Sequence, residues 1–112
     1  MKNNLRSALG AFALLAALPV SVAVAAAEGA DTLRVAGWAA TCANCHGTQG
    51  RAVEGSSVPG LAGQPSAYLA ELLRAYRRGE RSPTVMHQIA RGYSEAQIDA
   101  IAAYFAAVPR QP

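Results

Sequence analysis

Both cysteines of this 112-residue chain and one of its two histidines fall within five positions, Cys42-Ala43-Asn44-Cys45-His46. No other stretch constrains the fold as tightly. Two thiols separated by two residues can add to the two vinyl groups on one edge of a porphyrin, and an imidazole directly after them lies beneath the metal. Cys-x-x-Cys-His is the attachment pattern of a c-type haem. A thioredoxin-like redox pair would need a surrounding βαβ pattern, and no strand periodicity occurs anywhere in the chain. A structural zinc site would need four ligands, and there is no second cysteine pair. The expectation is one haem c, bonded covalently to Cys42 and Cys45, with His46 as the proximal ligand.

The first residues limit what remains to fold. Lys2 and Arg6 precede an apolar run from Leu9 to Leu18, Pro19 breaks it, and Val22–Ala27 offers small residues in an A-x-A arrangement. This is the layout of a secretory signal peptide. The expected organisation is a cleaved signal over residues 1–27 and one domain over residues 28–112, with Ala25 as the alternative cut and an uncleaved anchor as the rival reading. The apolar core is short for a spanning helix, so a periplasmic protein with no membrane span after cleavage is expected. Losing Lys2 and Arg6 lowers the formal net charge from +3 to +1. The basicity is therefore largely a targeting feature and gives no case for nucleic acid. A domain this small is marginal without a staple, and a covalent haem would supply the missing apolar core.

The domain reads as all-α. Asp31 to Thr41 has helical character, with Asp31 or Thr32 as cap and Leu33, Val35, Ala36 and Trp38 as apolar surface. Gly37 serves either close approach by another helix or nothing in particular. Gly47 to Gly63 is a glycine-rich loop, and a loop this long in a small domain usually wraps something; Val53, Val58 and Leu61 are its candidate haem contacts. Pro65 to Arg78 is amphipathic, with Leu69, Leu72, Leu73 and Tyr76 on one stripe and Gly79 at its stop. A turn with Pro83 leads to a short helix from Met86 to Arg91. Ser94 and Gln97 form a capping box for a last helix to about Val108, with Ile98, Ile101, Phe105 and Val108 inward.

For the sixth ligand, residues 28–112 contain one methionine, Met86, and a second histidine, His87. A thioether favours ferrous iron and raises its potential; ordinary core filling is the alternative use. Met86, delivered by the proline turn, is the expected ligand, and His87 is its competitor. Pro59 is the candidate acceptor for the other ring N–H of His46, because a ligating histidine is commonly steadied by a backbone carbonyl; a plain turn proline is the alternative. Arg74, Arg77, Arg78 and Arg81 form the one charge cluster. It suits haem propionates or an acidic partner, or is simply a solvated helix face. Tyr68, Tyr76, Tyr93 and Tyr104 read as core and rim packing.

Several phrases carry a resemblance. Cys42-Ala43-Asn44-Cys45-His46-Gly47-Thr48-Gln49-Gly50, Val58-Pro59-Gly60-Leu61-Ala62-Gly63-Gln64-Pro65 and Met86-His87-Gln88-Ile89-Ala90-Arg91-Gly92-Tyr93-Ser94, with Ala103-Tyr104-Phe105, resemble class I c-type cytochromes. Within that class they are most similar to the cytochrome subunit of flavocytochrome c sulfide dehydrogenase. The resemblance implies the class I cytochrome c fold, helices and loops wrapped around one haem, with the first and last helices crossing where Gly37 and Trp38 meet Tyr104 and Phe105. It implies haem roles for Cys42, Cys45, His46 and Met86. It also implies an FAD-containing flavoprotein partner that oxidises sulfide and passes electrons to this haem. The chain itself has no G-x-G-x-x-G and no room for a dinucleotide fold, so it is not catalytic alone. A stand-alone carrier to a terminal oxidase or another redox protein is the second reading, and a haem sensor or enzyme with an open sixth site the third.

Overall fold

A computed structural model describes residues 18–110, and their side chains from residue 28 onward. Residues 1–17 of the expected signal lie outside it. Four α-helices follow one another: α1 over Leu18–His46, α2 over Ser66–Arg78, α3 over Met86–Arg91 and α4 over Glu95–Ala107, with a 3₁₀ turn at Thr48–Gly50 after α1. No strand occurs among the described residues, and the class is all-α, as expected. The chain divides into one unit up to Asp31 and a second from Thr32 to Pro112. The core and the site described below lie in the second.

Helix α1 overruns the expected Asp31–Thr41 at both ends. Alanine is the best helix former, and its frequency from Ala23 to Ala43 carries the helix through Gly29 and Gly37, each costing about 1 kcal/mol relative to alanine. Asp31 and Thr32 thus lie inside a helix instead of capping one. The other end passes through the cysteines to His46 and stops at Gly47, whose φ of 85° only glycine adopts freely. No helix among the described residues is long and apolar enough to cross a membrane.

The core forms where α2 packs on α4 and α3. Ala39, Leu69, Ala70, Ile98, Ile101, Ala102 and Phe105 are its buried members. Three of the four apolar positions expected on α4 are buried, and Val108, past the end of the helix, is half-buried. On α2 the expected stripe is corrected: Leu69 is buried, while Leu72, Leu73 and Tyr76 are only half-buried and Ala70 and Ala75 take the inner places. Small side chains there allow close packing of the neighbouring helices. Of the two uses open to Gly37, close approach by another helix is not the one found. The glycine is exposed, with open space where a side chain would stand, and Ala39, 2 % exposed, is the small residue of α1 in the core. Trp38 and Tyr104 both pack against that cluster, and Tyr104 meets Phe105 edge to face at 5.2 Å.

Local chemistry sets the helix limits. Pro65 stands just before α2, and the N–H of Gly79 closes it on the carbonyls of Ala75 and Tyr76. The capping box of α4 forms in full: Ser94 Oγ accepts from the Gln97 N–H, and Gln97 Oε1 accepts from the Ser94 N–H at 2.8 Å. Between helices the arginines act. Arg74 bonds Glu95 at 2.7 Å and Asp99 at 2.6 Å, and Arg77 bonds Glu95 at 2.9 Å, joining α2 to α4. Arg78 pairs with Glu71 and Glu80 along its own helix end. These hydrogen bonds hold the carboxyls of Glu95 and Glu80 below the usual carboxylate range.

Phe105→Ala is expected to cost about 3–5 kcal/mol, since the ring is 1 % exposed and its removal leaves a cavity; denaturant unfolding of the wild-type and variant proteins measures it. Glu95 titrates lower in the folded than in the unfolded chain, so its contribution is present above an unfolded value of about 4.3 and disappears as pH falls through the folded one. Glu95→Gln should therefore flatten the acid limb of a stability-against-pH curve below about pH 4.3. A limb unchanged in the variant would exclude the pair as its source.

Candidate haem site

The last turn of α1 builds the attachment end. Positions 42, 45 and 46 stand at i, i+3 and i+4, so Cys42, Cys45 and His46 share one helix face. Their surroundings differ. Cys42 is half-buried against the core cluster, Cys45 is exposed, and His46 is only 8 % exposed. Both thiols are free. Burial pushes the Cys42 thiol above its ordinary value, against a smaller opposing pull from a hydrogen bond with Thr41. The thiol therefore stays protonated near neutral pH.

The loop after α1 returns one carbonyl to His46. Gly50 has a φ of 74°, and a β-carbon there would sit 2.7 Å from the Phe105 ring, so both the turn and the packing require glycine. The Gly50 carbonyl accepts the N–H groups of Leu61 at 2.7 Å and Ala62 at 3.1 Å. That pairing fixes the chain just past Pro59, whose carbonyl oxygen lies 2.7 Å from His46 Nδ1. A carbonyl can only accept, so Nδ1 carries the proton and Nε2 keeps its lone pair for a metal. Among the expected loop contacts, Leu61 packs on the core cluster, Val58 is half-buried, and Val53 is 75 % exposed.

Met86 enters from another element. It is the first residue of α3, which spans Met86–Arg91 as expected; it is half-buried, and its N–H bonds Thr84 Oγ1 at 3.1 Å. Its competitor His87 has both ring nitrogens on the backbone of the turn before it. The Thr84 N–H reaches Nδ1 at 3.3 Å, and Nε2 lies 3.2 Å from the Arg81 carbonyl. Ligating a metal through His87 would break one of these bonds, whereas the thioether of Met86 has none to lose.

Two further arrangements were not legible in the chain. Thr41 Oγ1 donates to the Trp38 carbonyl and lies 2.7 Å from Tyr93 Oη, which donates to it in turn. This bond ties the end of α3 to the residue before Cys42, across a sequence gap in which no local pattern could signal it. The arginine cluster is the other. Arg74, Arg77 and Arg78 are engaged by carboxylates of this same chain, and the Arg81 guanidinium lies over the Tyr76 ring at 5.6 Å. The expected basic patch is thus largely neutralised internally.

The donors suit a haem: two thiols on one face of one helix turn, an imidazole with its outer N–H anchored and its other nitrogen open, and a soft thioether. Among the described residues, no group of three or more His, Cys, Asp and Glu side chains converges into another metal site.

Similarity to known proteins agrees with this chemistry. The profile of the family described as cytochrome c oxidase, cbb3-type, subunit III matches residues 29–105. The chain is 42 % identical over 67 residues to a thiosulfate dehydrogenase electron acceptor of Thiomonas intermedia, covering 60 % of this chain and 31 % of that protein. It is 38 % identical over 65 residues to the cytochrome subunit of sulfide dehydrogenase of Chlorobaculum tepidum, covering 58 % and 57 %. It is 40 % identical over 68 residues to cytochrome c-554(548) of Halomonas halodenitrificans, covering 58 % and 81 %. The chain thus spans about a third of the first relative and most of the last. With that profile matched over both the Cys-x-x-Cys-His turn and the closing helix, the chain belongs to this family of class I cytochromes c, electron-transfer proteins that carry haem c.

Proposed function

We propose that the chain is exported, loses residues 1–27, and works in the periplasm as a monohaem cytochrome that accepts electrons from an FAD-containing, sulfide-oxidising partner. The observation that carries the haem assignment is the 2.7 Å bond between His46 Nδ1 and the Pro59 carbonyl. It fixes the ring orientation and tautomer that a proximal ligand needs. Cys42 and Cys45 would anchor the porphyrin by two thioether bonds, and His46 and Met86 would hold its iron. A bound haem supplies one iron that takes up and releases a single electron. The residues do the rest. With the anchored imidazole and the thioether both on the iron, no position would remain for a substrate, and little would need to rearrange between oxidation states. The second compact unit begins at Thr32, a few residues beyond the proposed cut.

The sulfide reading draws support from the Chlorobaculum relative, whose name makes it a sulfide dehydrogenase subunit. A second reading, a stand-alone carrier serving other redox proteins, is favoured by the Halomonas cytochrome, most of whose length this chain covers. Affinity purification from the native host separates them. A stable complex with a larger FAD protein that reduces the haem on adding sulfide supports the first, and a free monomer the second.

Replacing Met86 by alanine should lower the reduction potential and let the reduced protein bind carbon monoxide rapidly, while the wild type resists it; a third reading, an open sixth site, requires the wild type to bind as fast. Cys42→Ala with Cys45→Ala should leave haem extractable by acidified organic solvent, whereas wild-type haem stays with the chain through denaturing electrophoresis. Haem retained by the double variant would remove the thioether assignment.

A further inference from the structure

We propose that His87 is the positioning residue for Met86: its imidazole clamps the Arg81–Thr84 turn so that the thioether at the start of α3 is held ready for the iron. This rests on the reading of Met86 as axial ligand and goes beyond it, because it assigns a function to the histidine that does not ligate.

The segment before Met86 has little else to order it. Residues 80–85 are all exposed, and Val85 is a large apolar residue left in solvent. Helix α3 has six residues, too few to be stable by itself. Such a turn would sample many conformations, and ordering it costs free energy at every residue. His87 acts against that freedom from three sides. Nδ1 lies 3.3 Å from the Thr84 nitrogen and 3.2 Å from the Thr84 carbonyl oxygen, and the Nε2–H donates to the Arg81 carbonyl at 3.2 Å. The ring also stands edge to face on Tyr76 of α2, with centroids 5.4 Å apart and planes at 80°.

The two residues held by His87 are each held a second time. Arg81, whose carbonyl takes the Nε2 proton, lays its guanidinium over the other partner of the clamp, Tyr76, at 5.6 Å. Thr84, whose N–H meets Nδ1, gives its hydroxyl oxygen to the Met86 N–H at 3.1 Å. A continuous chain of contacts therefore runs from the core helix α2 through Tyr76, His87 and Thr84 to the backbone of Met86. A ligand held in place binds more tightly than one that must be ordered first, because the population able to bind is larger. The expected consequence is kinetic and electronic. Without the clamp, the methionine leaves the iron more often.

The test uses the haem-loaded protein and four variants. Met86→Ala first sets the fully open reference for carbon monoxide binding. His87→Leu keeps bulk but loses both ring bonds. His87→Gln retains an amide near the Nε2 position, and His87→Asn retains an acceptor near Nδ1. If the clamp works as described, His87→Leu binds carbon monoxide about tenfold faster than wild type, as expected for losing roughly one to two hydrogen bonds. Its reduction potential falls toward that of Met86→Ala, and the Thr84 amide loses hydrogen-exchange protection. His87→Gln and His87→Asn lie between. A folded His87→Leu with wild-type binding rate, potential and Thr84 protection overturns the proposal. If His87→Leu does not fold, Gln and Asn variants both matching wild type overturn it. A wild type already as open as Met86→Ala fails the axial assignment itself, and that result appears before any His87 variant is compared.

Discussion

The contact on which the rest depends is the seat of the Phe105 ring on Gly50. The ring is among the most buried side chains of the molecule, and it lies where any side chain at position 50 would stand. From there the geometry passes along the chain. Gly50 turns with a positive φ, its carbonyl gathers the N–H groups of Leu61 and Ala62, and Pro59, two residues before Leu61, turns its carbonyl to His46. The Phe105 carbonyl accepts the Gly63 N–H at 2.9 Å, fastening the far end of the loop to the same helix. An aromatic residue near the end of α4 thereby governs the orientation of an imidazole at the end of α1. Core packing and site geometry are one set of contacts here, so a loss of stability at Phe105 is also a loss of order at the ligand.

What could be read from the chain, and what could not, follows the range of each interaction. The Cys-x-x-Cys-His turn, the Ser94–Gln97 box and the stop at Gly79 involve residues within a few positions of one another, and local pattern was enough to place them. Helix α1 was recognisable as a helix but not in its extent, because alanine-rich sequence carries it past the candidate caps at Asp31 and Thr32 and through Gly37. The resemblance placed Gly37 at the helix crossing, but the small residue inside is Ala39; a glycine signals permission for close approach, not which face receives it. The partners of the arginines were not legible for a similar reason. Glu95 and Asp99, which hold Arg74, belong to another helix, and only the fold brings them into reach.

Met86 and His87 show how far donor chemistry alone goes. Both side chains can ligate iron, they are adjacent, and nothing in the order of residues ranks them beyond the softness of sulfur. The arrangement of hydrogen-bonding atoms does. An imidazole with two nitrogens turned to backbone partners is committed to structure, and a thioether with no strong hydrogen bond to make is not. His46 shows the complementary case: one nitrogen is committed to Pro59, which is what leaves the other available. The same residue type is thus free to ligate or committed to the fold according to how many of its nitrogens the backbone engages.

The loop from Arg51 to Gly60 has a property that follows from its closure at Gly50. Because the chain leaves that residue and is hydrogen-bonded back to it at Leu61 and Ala62, the two ends of the loop meet on one peptide unit. Its outer part, Val53 to Ser57, is exposed and held only by short-range bonds such as Ser56 N–H to Val53 carbonyl at 3.1 Å. Lengthening a loop whose base is already closed costs little, since closure entropy grows only with the logarithm of its length. An insertion between Gly55 and Ser56 would therefore reshape the outer face at small cost, without disturbing the carbonyl at Pro59.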